Sequence, residues 1–378
     1  MPIFISYRSL NQNFFQYSIN KSYMLFTPIE TEHLRMKNRL VRSATAESMA
    51  TKEGFVTEEM IELYTKLAEG GAGTIVTGYM FVSEDGRASF KMTGISDDSH
   101  IEGLSKLVEA VKAAAKDAVF VAQLAHAGRQ TFLGNAIAPS AVKDPFTGVE
   151  PREMTREDIE RVIEAFVKAA LRAEKAGFDA VQLHAAHGYL LSEFISPHVN
   201  RRKDEYGQER AKILLDIFDG IRQRSRIPVM IKMNACDFVP GGLEIDEAVR
   251  IAKLLDDAGF EAIEVSGGMY ESIYHNRYNV VSQKVAKSGE AYFREYAFRI
   301  KEAVSIPVMA VGGIKSRQTA EELLKKVDFV SMSRPLIRDP YLPKKMMNGE
   351  VDASDCKSCN LCLTAIFEGK PLACYAKN

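Results

Sequence analysis

The sequence has no excess of either charge: 49 Lys and Arg stand against 50 Asp and Glu, a formal net charge of −1. That balance gives no electrostatic case for binding nucleic acid or an anionic membrane surface. Long hydrophobic runs are also missing. No apolar stretch approaches the roughly 20 residues that a bilayer-spanning helix needs. The first residues, MPIFISYRSLNQNFFQYSINKSYM, lack the basic leader, apolar stretch and small-residue cleavage site of a secretory signal. Cysteine is scarce, with 5 in 378 residues. A secreted, disulfide-stapled protein would spread its cysteines through the fold. Here Cys236 lies alone in the body, while Cys356, Cys359, Cys362 and Cys374 crowd together near the C-terminus. That distribution points to a reducing cytoplasm and to a metal or cluster site in the tail.

What is present is ample core material, 46% hydrophobic residues, arranged in two alternating periods. Met60, Leu63, Tyr64 and Leu67 fall on one face of a helix that Thr57 can cap, and TIVTG follows as a buried strand. The same helix spacing recurs before VFVAQLA, AVQLH, AIEVS and VMAVGG. Near-continuous apolar strands, each preceded by an amphipathic helix, indicate a parallel sheet covered on its outer side. A faint repeat sharpens this: AGFDAVQLH at Ala176 returns as AGFEAIEVS at Ala258, and IPVMIKMN at Ile227 as IPVMAVGG at Ile306. Interleaved returns of this kind fit a repeat-built α/β barrel better than a doubly wound sheet. Eight candidate strands, near 39–43, 74–78, 119–125, 179–184, 228–232, 261–265, 307–311 and 328–332, predict a (β/α)8 TIM barrel. We expect that barrel over 24–350, a flexible extension or subunit-packing arm over 1–23, and a Cys-rich tail over 351–378.

In such a barrel the chemistry lies just past the C-terminal ends of the strands. Gln123 ends the third predicted strand, His184 the fourth, with His187 and Tyr189 close behind, and Lys232 sits in the fifth. Gly312 and Gly313 end the seventh strand, Ser333 and Arg334 the eighth. Glycines and an arginine fork there suit a phosphate, although a Gly-Gly pair also makes a plain tight turn. Lys232 reads either as a fixed charge beside an electron-accepting ring or as a strand-end lysine reaching water. His184 and His187 supply only two ligands for a metal and no evident third. Two N–H donors aimed at one oxygen is the alternative.

These segments resemble the old yellow enzyme family of NADH:flavin oxidoreductases and ene-reductases. The matching stretches are KNRLVRSAT, VAQLAHAGRQ, APS, HAAHGYLLSEFISPHVNRRKDEYG, VMAVGGI and SMSRPLIRDP, in that order. The resemblance implies FMN across the barrel mouth, with NAD(P)H as electron donor. Ala44, Thr45, Ala46 and Gly78 would line the flavin, Gln123 would meet its pyrimidine edge, and Lys232 would stand near its N1 and O2. Gly312, Gly313, Ser333 and Arg334 would hold the phosphate. His184 and His187 would grip a substrate carbonyl, and Tyr189 would donate the proton. The implied reaction is reduction of an activated C=C bond in a small electrophilic molecule. Amine oxidation and a flavin electron carrier serving a separate redox protein are the alternatives. Ala46 replaces the family's usual Thr or Cys and Ser48 a common Tyr, so the substrate is less constrained than the cofactor. Self-association into a homo-oligomer is expected from the N-terminal arm.

The tail reads C-x2-C-x2-C-x11-C. It resembles the iron–sulfur segment of the branch containing 2,4-dienoyl-CoA reductase and trimethylamine dehydrogenase, with one residue fewer between the second and third cysteines. Cys356, Cys359, Cys362 and Cys374 could ligate a [4Fe–4S] cluster or zinc, or carry no metal. With no second nucleotide-binding domain expected after the tail, a cluster here would take electrons from an external protein or be structural.

Overall fold

The computed structural model describes residues 23–275 and 289–376. The extension expected over 1–23 therefore lies, apart from Tyr23, outside the described residues. Eight parallel strands close on themselves: β1 (Leu40–Arg42), β2 (Thr74–Phe81), β3 (Val119–Ala125), β4 (Ala180–Ala185), β5 (Val229–Asn234), β6 (Ala262–Ser266), β7 (Val308–Ala310) and β8 (Phe329–Met332). Each pairs with the next. Val330 of β8 pairs with Leu40 of β1, and Val41 of β1 with Thr74 of β2, which completes the ring. The α/β (β/α)8 barrel expected from the repeats is the observed fold.

Helices cover the outside as the periodicity requires. Glu58–Glu69 is capped by Thr57, whose hydroxyl accepts from the Met60 amide, and buries Met60, Tyr64 and Leu67. Arg156–Ala176 carries a full capping box between Thr155 and Asp158 and stops at Gly177, whose φ of 95° only glycine adopts without strain. No helix among the described residues is long and apolar enough to cross a membrane.

The barrel interior is layered, because side chains two apart on a strand share a face. The lower layers are apolar, with Val76, Val119, Val121, Ala180, Met230, Ala262, Met309 and Phe329 packed together. Two residues further along the same strands the layer turns polar: Gln123, Gln182, Lys232, Glu264 and Ser331, all nearly sealed from solvent. One irregularity matters for the site. The β2–β3 register shifts between Val76 and Tyr79, so β2 carries extra chain there. The bulge brings Tyr79 to the upper rim of the barrel.

Candidate active site

A cavity of about 860 Å³ opens at the C-terminal ends of the strands, within the range of small-molecule and cofactor sites. Ala44, Thr45, Ala46, Gln123, His184, His187, Tyr189, Lys232, Gly312, Gly313, Ser333 and Arg334 all line it. Twelve residues singled out from six separate stretches of sequence thus meet at one place. Gly78 does not line the cavity. Its amide donates to Glu47 Oε1 at 2.7 Å, and a side chain here would collide with that carboxyl group. Glu47 is buried, also takes the Tyr64 hydroxyl, and burial raises its carboxyl above the usual range.

His184 stands one residue before the end of β4, its ring 5.3 Å from that of His187 and nearly perpendicular to it. His187 adopts φ of 65° and Gly188 φ of 85°. A left-handed non-glycine residue costs on the order of 1–3 kcal/mol, and the two together turn the His187 ring back toward the cavity. The His187 amide donates to Asn234 Oδ1 at 3.2 Å, and its Nε2 lies 2.7 Å from Ser266 Oγ. Among the described residues, His184 Nδ1 is buried without a partner. Most buried polar atoms have one, so this ring is left with hydrogen-bonding capacity to spare.

Both imidazoles are held neutral. Desolvation, reinforced by the Lys232 charge, lowers His184 to about 3. The same two causes, with His184 added, hold His187 well below its ordinary 6.5. Linkage fixes the sign of the consequence. A histidine with a depressed folded-state pKa contributes stability that is intact above about 6.5 and is lost as the pH falls toward its folded value. Denaturant unfolding at pH 7.5 and pH 5 should therefore show lower stability at pH 5. His184→Gln should flatten the slope by up to about 1.4 kcal/mol per pH unit, one proton's worth. An unchanged slope would mean that His184 titrates normally.

Tyr189 follows at the start of the short helix Leu190–Ile195. Its ring lies 4.9 Å from His184 and 5.3 Å from Tyr79. Its hydroxyl is hydrogen bonded to Tyr79 and Gln130, and burial raises its pKa well above 10. Tyr79 and Gln130 were not singled out from the sequence. Tyr79 depends on the β2 bulge, and Gln130 on a loop whose path no periodicity encodes.

Below this group runs a buried chain of polar side chains. Lys232 Nζ donates to Ser43 Oγ at 2.8 Å and lies 3.4 Å from Glu264 Oε1. Ser43 Oγ donates to the same carboxylate at 2.6 Å, Gln182 donates to its other oxygen at 3.2 Å, and Gln123 donates to Gln182 at 2.7 Å. Lys232 is thus neither snorkelling nor unpaired. Its charge is fixed by a carboxylate that is wholly buried.

Opposite the histidines, Gly312 and Gly313 hold φ of 124° and 69° with Tyr292 packed against them. Tyr292 is hydrogen bonded to Arg334. Thr45 and Ser333 hydroxyls sit 2.7 Å apart, and Arg334 donates to Asn360 of the tail at 2.6 Å. The tail continues over the cavity through the helix Leu361–Phe367 and is tied down by the Leu372 amide donating to the Glu47 carbonyl. Cys356, Cys359, Cys362 and Cys374 line one small adjoining cavity. Desolvation and the neighbouring Cys356 and Cys359 raise the Cys362 thiol. Among the described residues, however, no three His, Cys, Asp or Glu side chains converge to hold a metal ion.

The geometry gathers two neutral imidazoles, a buried tyrosine hydroxyl, a paired lysine and a glycine–arginine rim around one cavity. Comparison with known proteins identifies the family. Residues 24–352 match the family model described as NADH:flavin oxidoreductase / NADH oxidase. The chain is 37% identical over 364 residues to a metal reductase of Desulforamulus reducens, covering 93% of this chain and 53% of that protein. It is 38% identical over 327 residues to an NADPH dehydrogenase of Geobacillus thermodenitrificans, covering 85% and 92%. Among solved structures, a 2-naphthoyl-CoA reductase bound to 2-naphthoyl-CoA superimposes with a TM-score of 0.86 at 27% identity, covering 93% of this chain and 56% of that one. The chain thus spans about half the length of the first of these relatives.

Proposed function

The chain belongs to the NADH:flavin oxidoreductase / NADH oxidase family, and from that premise we propose that it is an FMN enzyme reducing the activated C=C bond of an enone or enoyl thioester at the expense of NAD(P)H. The observation that carries this reading is the placement of His184, His187 and Tyr189 on one side of a cavity whose other side is Gly312, Gly313, Ser333 and Arg334. Bound there, FMN would supply a hydride to the β-carbon of the alkene. Gly312, Gly313, Ser333 and Arg334 would hold its phosphate, Ala44, Thr45, Ala46 and Gln123 would face the ring, and Lys232 would set a positive charge beside it. The chain's own residues then manage the charge that results. His184 and His187 donate N–H bonds to the carbonyl oxygen, where negative charge accumulates; such a donor contributes about 3–4 kcal/mol. Tyr189, protonated because burial raises its pKa, delivers a proton to the α-carbon. The NADPH dehydrogenase relative supports the electron donor, and the naphthoyl thioester in the solved neighbour supports a conjugated acyl substrate.

Anaerobic assay of the purified holoenzyme with 2-cyclohexenone should show NAD(P)H oxidised in a one-to-one ratio with enone reduced. Adding phenol to the oxidised enzyme should produce a long-wavelength band. Flavin bleaching by NAD(P)H with no turnover of any enone or enoyl thioester would remove the alkene from this reading and leave the flavin.

A further inference from the structure

The cavity described above has a second, outer part that the proposed chemistry does not use. Tyr189 and Tyr79 pack at 5.3 Å beside the histidines. Tyr270 lines the same cavity. Its ring lies 4.8 Å from Phe146, tilted by 31°. Phe146 in turn meets Phe132 at 6.2 Å and Phe367 at 6.1 Å. Tyr79, Tyr189, Tyr270, Phe146, Phe132 and Phe367 all line the same cavity, so aromatic rings run from the acid Tyr189 to the mouth. At the mouth the rings are bare: Phe132 is 58% exposed and Phe367 51%. Single exposed apolar residues are ordinary, but adjoining rings at the mouth of a cavity mark a binding surface. The three outer rings come from two parts of the chain, Phe132 and Phe146 from the segment after β3 and Phe367 from the last residue of the tail helix.

We infer that this path is a subsite for a flat, conjugated arm of the substrate, an aryl or fused-ring group extending outward from the activated alkene. The inference rests on the proposed function for the position of the reacting end, and adds the substrate class. With the carbonyl held by His184 and His187, a planar group in conjugation with it lies along the rings, where offset-stacked and edge-to-face contacts are favourable. A compact ring such as cyclohexenone fills the inner part and leaves Phe132 and Phe367 untouched. The Cys-rich tail therefore contributes a substrate contact, Phe367, as well as its thiols.

The test compares two inert ligands by calorimetric titration of the oxidised holoenzyme: phenol, which reaches only the histidine end, and 4-phenylphenol, which carries a second ring outward. Phe367→Ala and Phe132→Ala should each weaken 4-phenylphenol about five- to tenfold while changing phenol by less than about twofold. Phe367→Tyr should restore wild-type affinity for 4-phenylphenol. Equal losses for both ligands, or no loss for either, overturns the subsite. The selective loss seen in an enzyme that reduces no enone leaves the subsite standing and removes the proposed reaction instead. Both rings are half exposed, so neither variant should disturb folding, and unchanged flavin content in each confirms that the comparison is clean.

Discussion

Tyr189→Phe should slow reduction of an enone by about 10²–10⁴-fold, the usual worth of a positioned general acid, while flavin reduction by NAD(P)H proceeds at close to the wild-type rate. The split follows from what the hydroxyl touches. The ring is 6% exposed and packs against His184 and Tyr79, contacts that phenylalanine keeps. Only the O–H and its bonds to Tyr79 and Gln130 are lost. Because the raised pKa keeps the wild-type hydroxyl protonated across the working range, its contribution should not vary between pH 6 and 9. Stopped-flow traces of the two half-reactions separate the outcomes. Equal slowing of both, or loss of flavin from the variant, would show that Tyr189 shapes the cavity and does not deliver the proton. Tyr79 is hydrogen bonded to Tyr189 and lines the same cavity, so the Tyr79→Phe, Tyr189→Phe double variant should remove activity that the single variant retains.

The barrel was legible because its two signals are local and repeated: the apolar faces of Glu58–Glu69 and Arg156–Ala176, and short buried strands returning at fixed intervals. Strand ends then located His184, Lys232, Gly313 and Arg334, since a closed parallel barrel brings all strand ends to one face. The partners of these residues were less legible, although part of the signal was present. Gln182 stands two residues before His184 and Glu264 two before Ser266, so both share the inward face by simple alternation. A glutamate inside the apolar run AIEVS is the mark of a buried ion pair, and Lys232 in the adjacent strand is its counterpart. What alternation cannot supply is the β2 bulge that moves Tyr79 and commits Gly78 to Glu47, or the return of the tail that puts Asn360 on Arg334 and Phe367 at the mouth. These depend on contacts between segments far apart in the chain, which no local period records.

Lys232→Met should destabilise the protein by about 3–5 kcal/mol, the cost of leaving a buried carboxylate without its cation. The Lys232 and Glu264 side chains are 5% and 0% exposed, so water cannot replace the missing charge. Ser43 and Gln182 remain as donors to Glu264, which limits the loss without cancelling it. The Lys232→Met, Glu264→Gln double variant removes both charges and should recover most of the stability, because neutral groups of similar volume often replace a buried pair at little cost. Catalysis should not recover with it. In the proposed site Lys232 is the positive charge beside the ring that accepts electrons, so the double variant should fold and still be reduced at least about tenfold more slowly by NAD(P)H. Urea unfolding of the two single variants, the double variant and the parent closes the cycle and gives the coupling between the two residues directly. A Lys232→Met variant within about 0.5 kcal/mol of the parent would mean that the Lys232–Glu264 contact contributes nothing to stability. Recovery of the reduction rate in the double variant would show that Lys232 is there to balance Glu264 and has no part in the chemistry.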